Sequence, residues 1–239
     1  MEWHFLLPAI KSIKLLDQKI VACRKCPRLV QWREEVAVVK RKSYENEMYW
    51  GKPVPGFGPA DARIVIVGLA PGAHGANRTG RIFTGDSSGD WLYKALHKNG
   101  LATIPTSTSA DDGQKLIDTR ITCAVRCAPP DNKPSTGEKI ECSDYLVNEI
   151  ELLLPTARTF VALGSFAWSA IIKSLRALDH EITSPTPKIG HNESFTYAGP
   201  DGVKRLVLGS YHPSQQNTFT GKLTEPMLNS VFKKAKSFK

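Results

Sequence analysis

The sequence predicts an α/β protein in which a four-stranded parallel sheet lies between layers of helices, and three observations carry that prediction. Four short apolar runs, the first of them strongly β-branched, recur along the chain and have the character of buried central strands. Each is followed by a stretch with apolar residues at helical spacing, so strand and helix alternate. The runs end in Gly-, Pro- and Asn-containing segments, and parallel sheets bind ligands at the carboxyl ends of their strands.

Residues 11–22 carry Ile13, Leu16 and Ile20 at helical spacing, which predicts an N-terminal helix ending near Cys23 and Cys26, with a turn at Pro27. Residues 37–62 read as irregular, with Lys40-Arg41-Lys42 ahead of a Gly/Pro-rich loop. Residues 63–67 (Arg-Ile-Val-Ile-Val) form the first strand, and a long loop runs from Gly68 to Asp86. A helix over residues 87–99 places Trp91, Leu92, Ala95 and Leu96 on one face. The second strand, residues 120–125, runs into Arg126-Cys-Ala-Pro-Pro-Asp-Asn132-Lys-Pro134. Ser135 and Glu138 have the spacing of a capping box and open a helix over residues 135–154. The third strand, residues 159–163, is followed by Gly164-Ser165 and a helix to Leu178. Residues 180–202 are polar and Pro/Gly-rich, a loop or an irregular hairpin. The fourth strand, residues 205–208, ends in Gly209-Ser-Tyr-His212-Pro-Ser214, and Pro226 stands in the first turn of a last helix. Neither a repeat nor a compositional break divides residues 1–239, so a single domain is expected.

Composition narrows the function. With 41% apolar and 23% charged residues among 239, the chain buries a substantial core and is not a disordered protein. The longest mostly apolar run, residues 160–172, is shorter than the ~20 residues of a membrane helix. Met1-Glu2-Trp3-His4 lacks the basic start of a signal peptide and Pro8 breaks the apolar stretch after it, so a cytoplasmic protein with no membrane partner is expected. Lys and Arg number 32 against 23 Asp and Glu, and a net charge of +9 suits a polyanion, although solubility alone would account for it equally well. Five cysteines, an odd number, argue against a disulfide framework and towards metal, cluster or redox use. By spacing alone Cys23, Cys26, Cys127 and Cys142 could hold an iron–sulfur cluster, complete a zinc site, or be small buried hydrophobes. Cys123 falls within a strand and reads as a core filler.

The stretch Gly68-Leu-Ala-Pro-Gly-Ala-His-Gly-Ala-Asn-Arg-Thr-Gly-Arg-Ile-Phe-Thr-Gly-Asp86, taken with His212-Pro-Ser-x-x-Asn217-x-x-Thr220-Gly221, resembles the uracil-DNA glycosylase superfamily. The likeness is to its iron–sulfur branch and there to the family 5, or B-type, enzymes. Residues 126–134 and the early Cys-x-x-Cys fit the same family, and the likeness spans about Cys23 to Phe232. It implies a three-layer α/β/α domain with a four-stranded parallel sheet and an N-terminal helical extension tied by one structural four-iron, four-sulfur cluster. The cluster's ligands would be Cys23, Cys26, Cys127 and Cys142, with zinc as the second choice. It implies a monomer acting on DNA that contains uracil or other deaminated bases, at the nucleoid. Family 4 enzymes carry an acidic residue directly after the first motif glycine; here Leu69 stands there and cannot activate water, so the carboxylate must come from elsewhere.

Cleaving uracil from deoxyribose passes through an oxocarbenium-like sugar and a departing uracil anion. His212, after the last strand, is the candidate donor to the uracil O2, a task a neutral imidazole performs without full proton transfer. Asp86 is the one acid of the long first loop, the candidate to hold water and oppose the sugar cation, and at the same time a helix N-cap. Asn132 offers a donor and an acceptor to the Watson–Crick edge of a flipped base. Phe83 resembles the residue on which the base stacks, and the backbone at Gly68, Leu69 and Ala70 lies within reach of the base carbonyls. Gln215, Asn217 and Phe219 belong to the segment expected to enter the duplex, with Phe219 as its wedge; His74, Asn77 and Arg78 are candidates to line the pocket or to grip phosphate, and Lys40-Arg41-Lys42 is a candidate phosphate contact. The rival reading is a catalytically silent module that keeps the fold and a structural metal or cluster and binds damaged DNA without cleaving it.

Overall fold

The computed structural model of the protein describes residues 11–183 and 185–239; the reading of Met1–Pro8 as no signal peptide lies outside them. The elements in chain order are α1 (Ile13–Val21), α2 (Pro27–Val39), β1 (Ile64–Gly68), α3 (Ala76–Thr79), α4 (Ser87–Lys98), β2 (Thr119–Cys123), α5 (Thr136–Leu153), β3 (Thr159–Leu163), α6 (Ser165–Ala177), β4 (Ser194–Ala198), β5 (Lys204–Ser210), α7 (Gln215–Phe219) and α8 (Glu225–Ser237). Strands lie in the order β2-β1-β3-β5-β4, the first four parallel and β4 antiparallel to β5.

The parallel strands are buried on both faces, which is why they read as unbroken apolar runs. On one face Ile64, Ile66, Ile121, Val161, Leu206 and Leu208 pack under α4 and α8. The alternate residues Val65, Val67, Phe160, Ala162 and Val207 pack under α5 and α6. Three layers result. Ser135 closes the expected capping box on α5, accepting from the Glu138 amide at 3.2 Å while its own amide donates to Glu138 Oε2 at 2.7 Å.

The sheet has five strands where four were expected. Residues 180–202 end in a hairpin whose first arm is β4, and of its five residues only Tyr197 is buried. An edge strand with one buried side chain has a weak apolar signal, so only the hairpin alternative pointed to it. The helix α2 was also unexpected. Pro27 occupies its first turn after Cys26 as N-cap, so this proline opens a helix instead of making a turn. Its buried residues include Arg33 beside Leu29, Val30 and Val36, which breaks the apolar periodicity.

An ionic network, buried except at Asp17, ties α1, β2 and α5 together. Glu149 Oε1 accepts from Arg120 Nε and Oε2 from Thr122 Oγ1, at 2.6 and 2.7 Å, and Glu149 also pairs with Arg126. Asp17 of α1 closes on Arg120 at 3.0 Å. Burial alone would raise the Glu149 carboxyl, but Arg126 and Arg120 hold it well below the usual carboxylate range.

The chain leaves β1 towards β2 and leaves β3 towards β5, in opposite directions along the sheet. A crevice therefore opens at the carboxyl ends of β1 and β3, the place where such sheets bind ligands. Among the described residues no helix is long and apolar enough to cross a membrane.

Candidate active site

The loop after β1 folds back over its own strand. At Gly68 a Cβ would press on the Phe83 ring at 2.8 Å and on Cys123 Sγ at 3.0 Å, so the absent side chain lets Phe83 sit over the strand end. Phe83 is buried with a left-handed backbone (φ 52°), a strained conformation for an aromatic residue. Its carbonyl lies where a Cβ on Gly89 would be, and Gly89 belongs to the first turn of α4. Cys123, buried in β2, is the core filler expected.

Asp86 caps α4: its Oδ1 accepts from the Gly89 amide at 2.9 Å. Its Oδ2 turns to the opposite side, against Gly72 and Gly75, where any Cβ on residue 75 would overlap it. Burial raises the Asp86 carboxyl above the ordinary aspartate value, opposed by the Gly89 hydrogen bond. One oxygen is committed to the helix and the other lies against Gly72 and Gly75.

His212 follows β5, and its ring stands 5.8 Å from that of Phe83, centroid to centroid, tilted by 34°. Its Cβ lies 3.5 Å from where a Cβ on Gly164 would be, so the ends of β3 and β5 and the Phe83 loop meet around it. Burial lowers its pKa to about 4, which keeps the imidazole neutral at physiological pH. His212 thus meets Phe83 by its ring, and Asp86 caps the helix whose Gly89 packs against the Phe83 carbonyl.

The other expected residues divide. Leu69 and Ala70 are half-buried at the strand end, with the Leu69 carbonyl held by the Val125 amide at 3.0 Å. Asn132 is exposed, in a left-handed conformation (φ 57°) after Asp131 in another, on the loop beyond β2. Gln215 and Phe219 are exposed on α7, Phe219 at 78%. Two residues expected at the DNA make contacts within the protein. Arg78 is buried and spends its donors inside the protein, on Glu47, the His74 carbonyl at 2.8 Å and the Gly85 carbonyl at 2.9 Å, with its guanidinium over the Tyr44 ring. Asn217 donates from Nδ2 to the His212 carbonyl at 2.8 Å, so it braces the histidine loop.

Cys23 and Cys26 flank the α1–α2 junction, and with Cys127 and Cys142 they line one small pocket, shared with Leu29, Val125 and Tyr145. Arg33 donates to Cys127 Sγ at 2.9 Å and the Arg126 amide to Cys142 Sγ at 3.3 Å. Among the described residues, no three His, Cys, Asp or Glu side chains close on a single point as a one-ion site would need. Ala70, just beyond the end of β1, packs on this cysteine cluster.

Several supporting residues were not anticipated. Gly72, Gly75 and Gly89 act by the space they leave, which a glycine-rich loop suggests without saying which glycine serves which neighbour. Tyr49 reaches His74 Nδ1 from its hydroxyl at 3.1 Å across a sequence distance that no local pattern reveals.

Among relatives with known names, the type-5 uracil-DNA glycosylase of Mycobacterium tuberculosis is 52% identical over 94% of this chain and 81% of its own length. The type-5 uracil-DNA glycosylase of Pyrobaculum aerophilum is 45% identical over 91% of this chain and 89% of its own. The type-4 uracil-DNA glycosylase of the same organism is only 29% identical over 93% and 90%. The chain is thus nearer to the type-5 than to the type-4 protein of one organism, in keeping with Leu69 at the position where an acid was absent. Residues 55–236, which hold β1 to α8 and the whole Phe83 site, match the uracil DNA glycosylase superfamily, and the chain belongs to that superfamily.

Proposed function

We propose that the protein removes uracil from DNA by hydrolysing its N-glycosidic bond and leaves an abasic site. The observation that carries this reading is the meeting of His212, neutral by burial, with the Asp86 loop around Phe83 at the β1/β3 crevice. In this reading the uracil is turned out of the helix into that crevice and lies on the Phe83 ring, and Asn132 reads its Watson–Crick edge. As the bond between C1′ and N1 lengthens, its electron pair leaves with the base. The imidazole N–H of His212 donates to O2, where that charge gathers. A neutral donor is suited to the task, since an imidazolium would be costly to keep in so dry a site.

Asp86 Oδ2 holds a water facing C1′, opposes the positive sugar, and takes the water's proton as its oxygen bonds to carbon. The released uracil anion recovers a proton from solvent. Phe219, exposed at the end of α7, fills the gap in the duplex. Leu69 sets no charged group against the base, which favours acceptance of hypoxanthine or xanthine as well.

Cys23, Cys26, Cys127 and Cys142 would hold a four-iron, four-sulfur cluster, whose part is to cross-link the α1–α2 junction to the loop after β2; hydrolysis calls for no electron transfer. Four thiols around one pocket with a buried guanidinium against one of them support this reading. Zinc would give a colourless protein; the cluster gives a brown one containing iron. The protein acts as a monomer on cytoplasmic DNA. Oligonucleotides bearing uracil, hypoxanthine or xanthine, incubated with the protein and then with alkali, test the activity. Strand scission at uracil is expected, lost in His212→Ala; tight binding with every base still attached would favour the silent module instead.

A further inference from the structure

Arg33 differs from the other buried arginines. A guanidinium is always charged and is found in protein interiors with a counter-charge. Arg78, Arg81, Arg120, Arg126 and Arg205 each close on a carboxylate, from Glu47, Asp112, Glu149, Glu149 and Asp201 respectively. Arg33, 2% exposed, has only Glu34 Oε1 at 3.8 Å, a half-exposed carboxylate already engaged by Arg24. Its donors go to Cys127 Sγ at 2.9 Å and the Cys23 carbonyl at 3.2 Å, and its Nε has no partner. The balancing charge must therefore come from the cysteine pocket.

The same residue reaches the catalytic loop. The Arg33 carbonyl accepts from Asn77 Nδ2 at 3.2 Å, and Asn77 is fully buried in α3. The Asn77 amide donates to the Gly72 carbonyl at 3.0 Å, and Gly72 and Gly75 are the residues against which Asp86 Oδ2 lies. A continuous path runs from Cys127 through Arg33, Asn77 and Gly72 to Asp86.

We propose that Arg33 is the counter-charge of the cluster held by the four cysteines, and that through Asn77 it makes the placement of Asp86 depend on a filled pocket. This rests on the cluster reading above. Thiolates carrying a metal cluster are net negative, and a hydrogen bond from a buried cation to one of their sulfurs stabilises that charge. Arg33 is thus a positioning residue. It touches no substrate, and removing it acts first on the cluster and then on the loop.

The test compares wild type, Arg33→Met, Arg33→Lys and Asn77→Ala, all purified without oxygen. It reads iron per chain, the rate at which visible absorption bleaches in air, and kcat and KM on a single-stranded uracil oligonucleotide. Arg33→Met is expected to bleach several-fold faster than wild type, and Arg33→Lys, which keeps the charge, to recover most of the difference. Asn77→Ala is expected to bleach at the wild-type rate while its kcat falls about tenfold with KM little changed. Stripping iron with a chelator should then lower kcat in wild type and change Asn77→Ala little further. Equal bleaching of wild type, Arg33→Met and Arg33→Lys overturns the counter-charge. An equal loss of kcat on chelation in wild type and Asn77→Ala overturns the path. Should Arg33→Met fail to fold, Arg33→Gln makes the same comparison. A wild-type protein that is colourless and free of iron removes the cluster reading itself, an outcome distinct from both.

Discussion

Asp86 joins two roles with opposite demands. As N-cap it contributes about 1 kcal/mol to α4, and as a buried carboxylate it costs stability, which is what raises its pKa. Asp86→Asn keeps an acceptor for the Gly89 amide and removes the charge. It is expected to melt no lower than wild type while kcat falls by roughly 10²–10³, checked by thermal denaturation beside single-turnover excision. The sign of the pH dependence follows from the same shift. With Asp86 in its proposed role, activity needs the ionised carboxylate and is expected to fall on the acid side, at a higher pH than an ordinary aspartate would set. His212 does not contribute to that limb above about pH 5, since burial holds its pKa near 4. Its folded-state pKa lies below the unfolded value of about 6.5, so the folded state binds fewer protons and stability declines as pH falls through that window. His212→Gln is expected to flatten that decline in a series of melts from pH 7 to 4. The cap at Asp86 was legible in the sequence, and the motifs around Asp86 and His212 marked both as candidates. Arg78 and Asn217 stand in the same motifs, and the fold engages both inside the protein. Whether such a side chain ends on DNA or on Glu47 or the His212 carbonyl is decided by which groups the fold brings within reach.

Elements hold the site by clearance and by buried charge. The short run from Gly72 to Gly75 leaves room for Asp86 Oδ2, and Gly75→Ala is expected to displace the carboxyl and lower kcat about 10²-fold with the fold intact, as circular dichroism would show. The opposite pattern is expected at Glu149, which is fully buried between Arg120 and Arg126. Glu149→Gln leaves Arg126 without its anion and Arg120 with Asp17 alone, at a cost of roughly 3–5 kcal/mol and a melting point lower by about 10 °C. Because the Glu149 carboxyl is depressed, that stabilisation is fully present above the unfolded glutamate value near 4.3 and fades as pH falls below it. The melting points of wild type and Glu149→Gln should therefore converge in acid; a constant gap down to pH 3 would mean the network is not the cause. Elements with a clear period, such as α4, α5 and β3, were read to within a residue or so. The strand β4 and the helix α2 were not, since one buries a single tyrosine and the other hides its stripe behind a buried arginine.

At the scale of the molecule, the crevice between β1 and β3 follows from strand order, and strand order was only partly legible, because β4 adds an edge that no crossover rule requires. The surplus of nine positive charges was legible from composition, but its meaning depends on where the charges stand. Among the described residues six arginines are buried, and five of them are answered by carboxylates of the protein itself, which takes them from the charge offered to phosphate. In the proposed function, affinity for DNA comes from exposed groups such as Arg41 and Lys42, and from Phe219 once a base has left the stack. These two contributions separate experimentally. Phosphate contacts are sequence-independent and release counterions, so for about four of them affinity should fall roughly a hundredfold between 50 and 200 mM salt, equally for single and double strands apart from a shallower slope on the former. The wedge acts only where a partner strand closes behind the extruded base. Phe219→Ala should therefore leave the salt slope and single-strand excision nearly unchanged while slowing excision from a U·A pair about tenfold, and less from a U·G mismatch, whose base is already cheaper to unstack. Equal slowing on all three substrates would mean that Phe219 supports the His212 loop and does not enter the duplex.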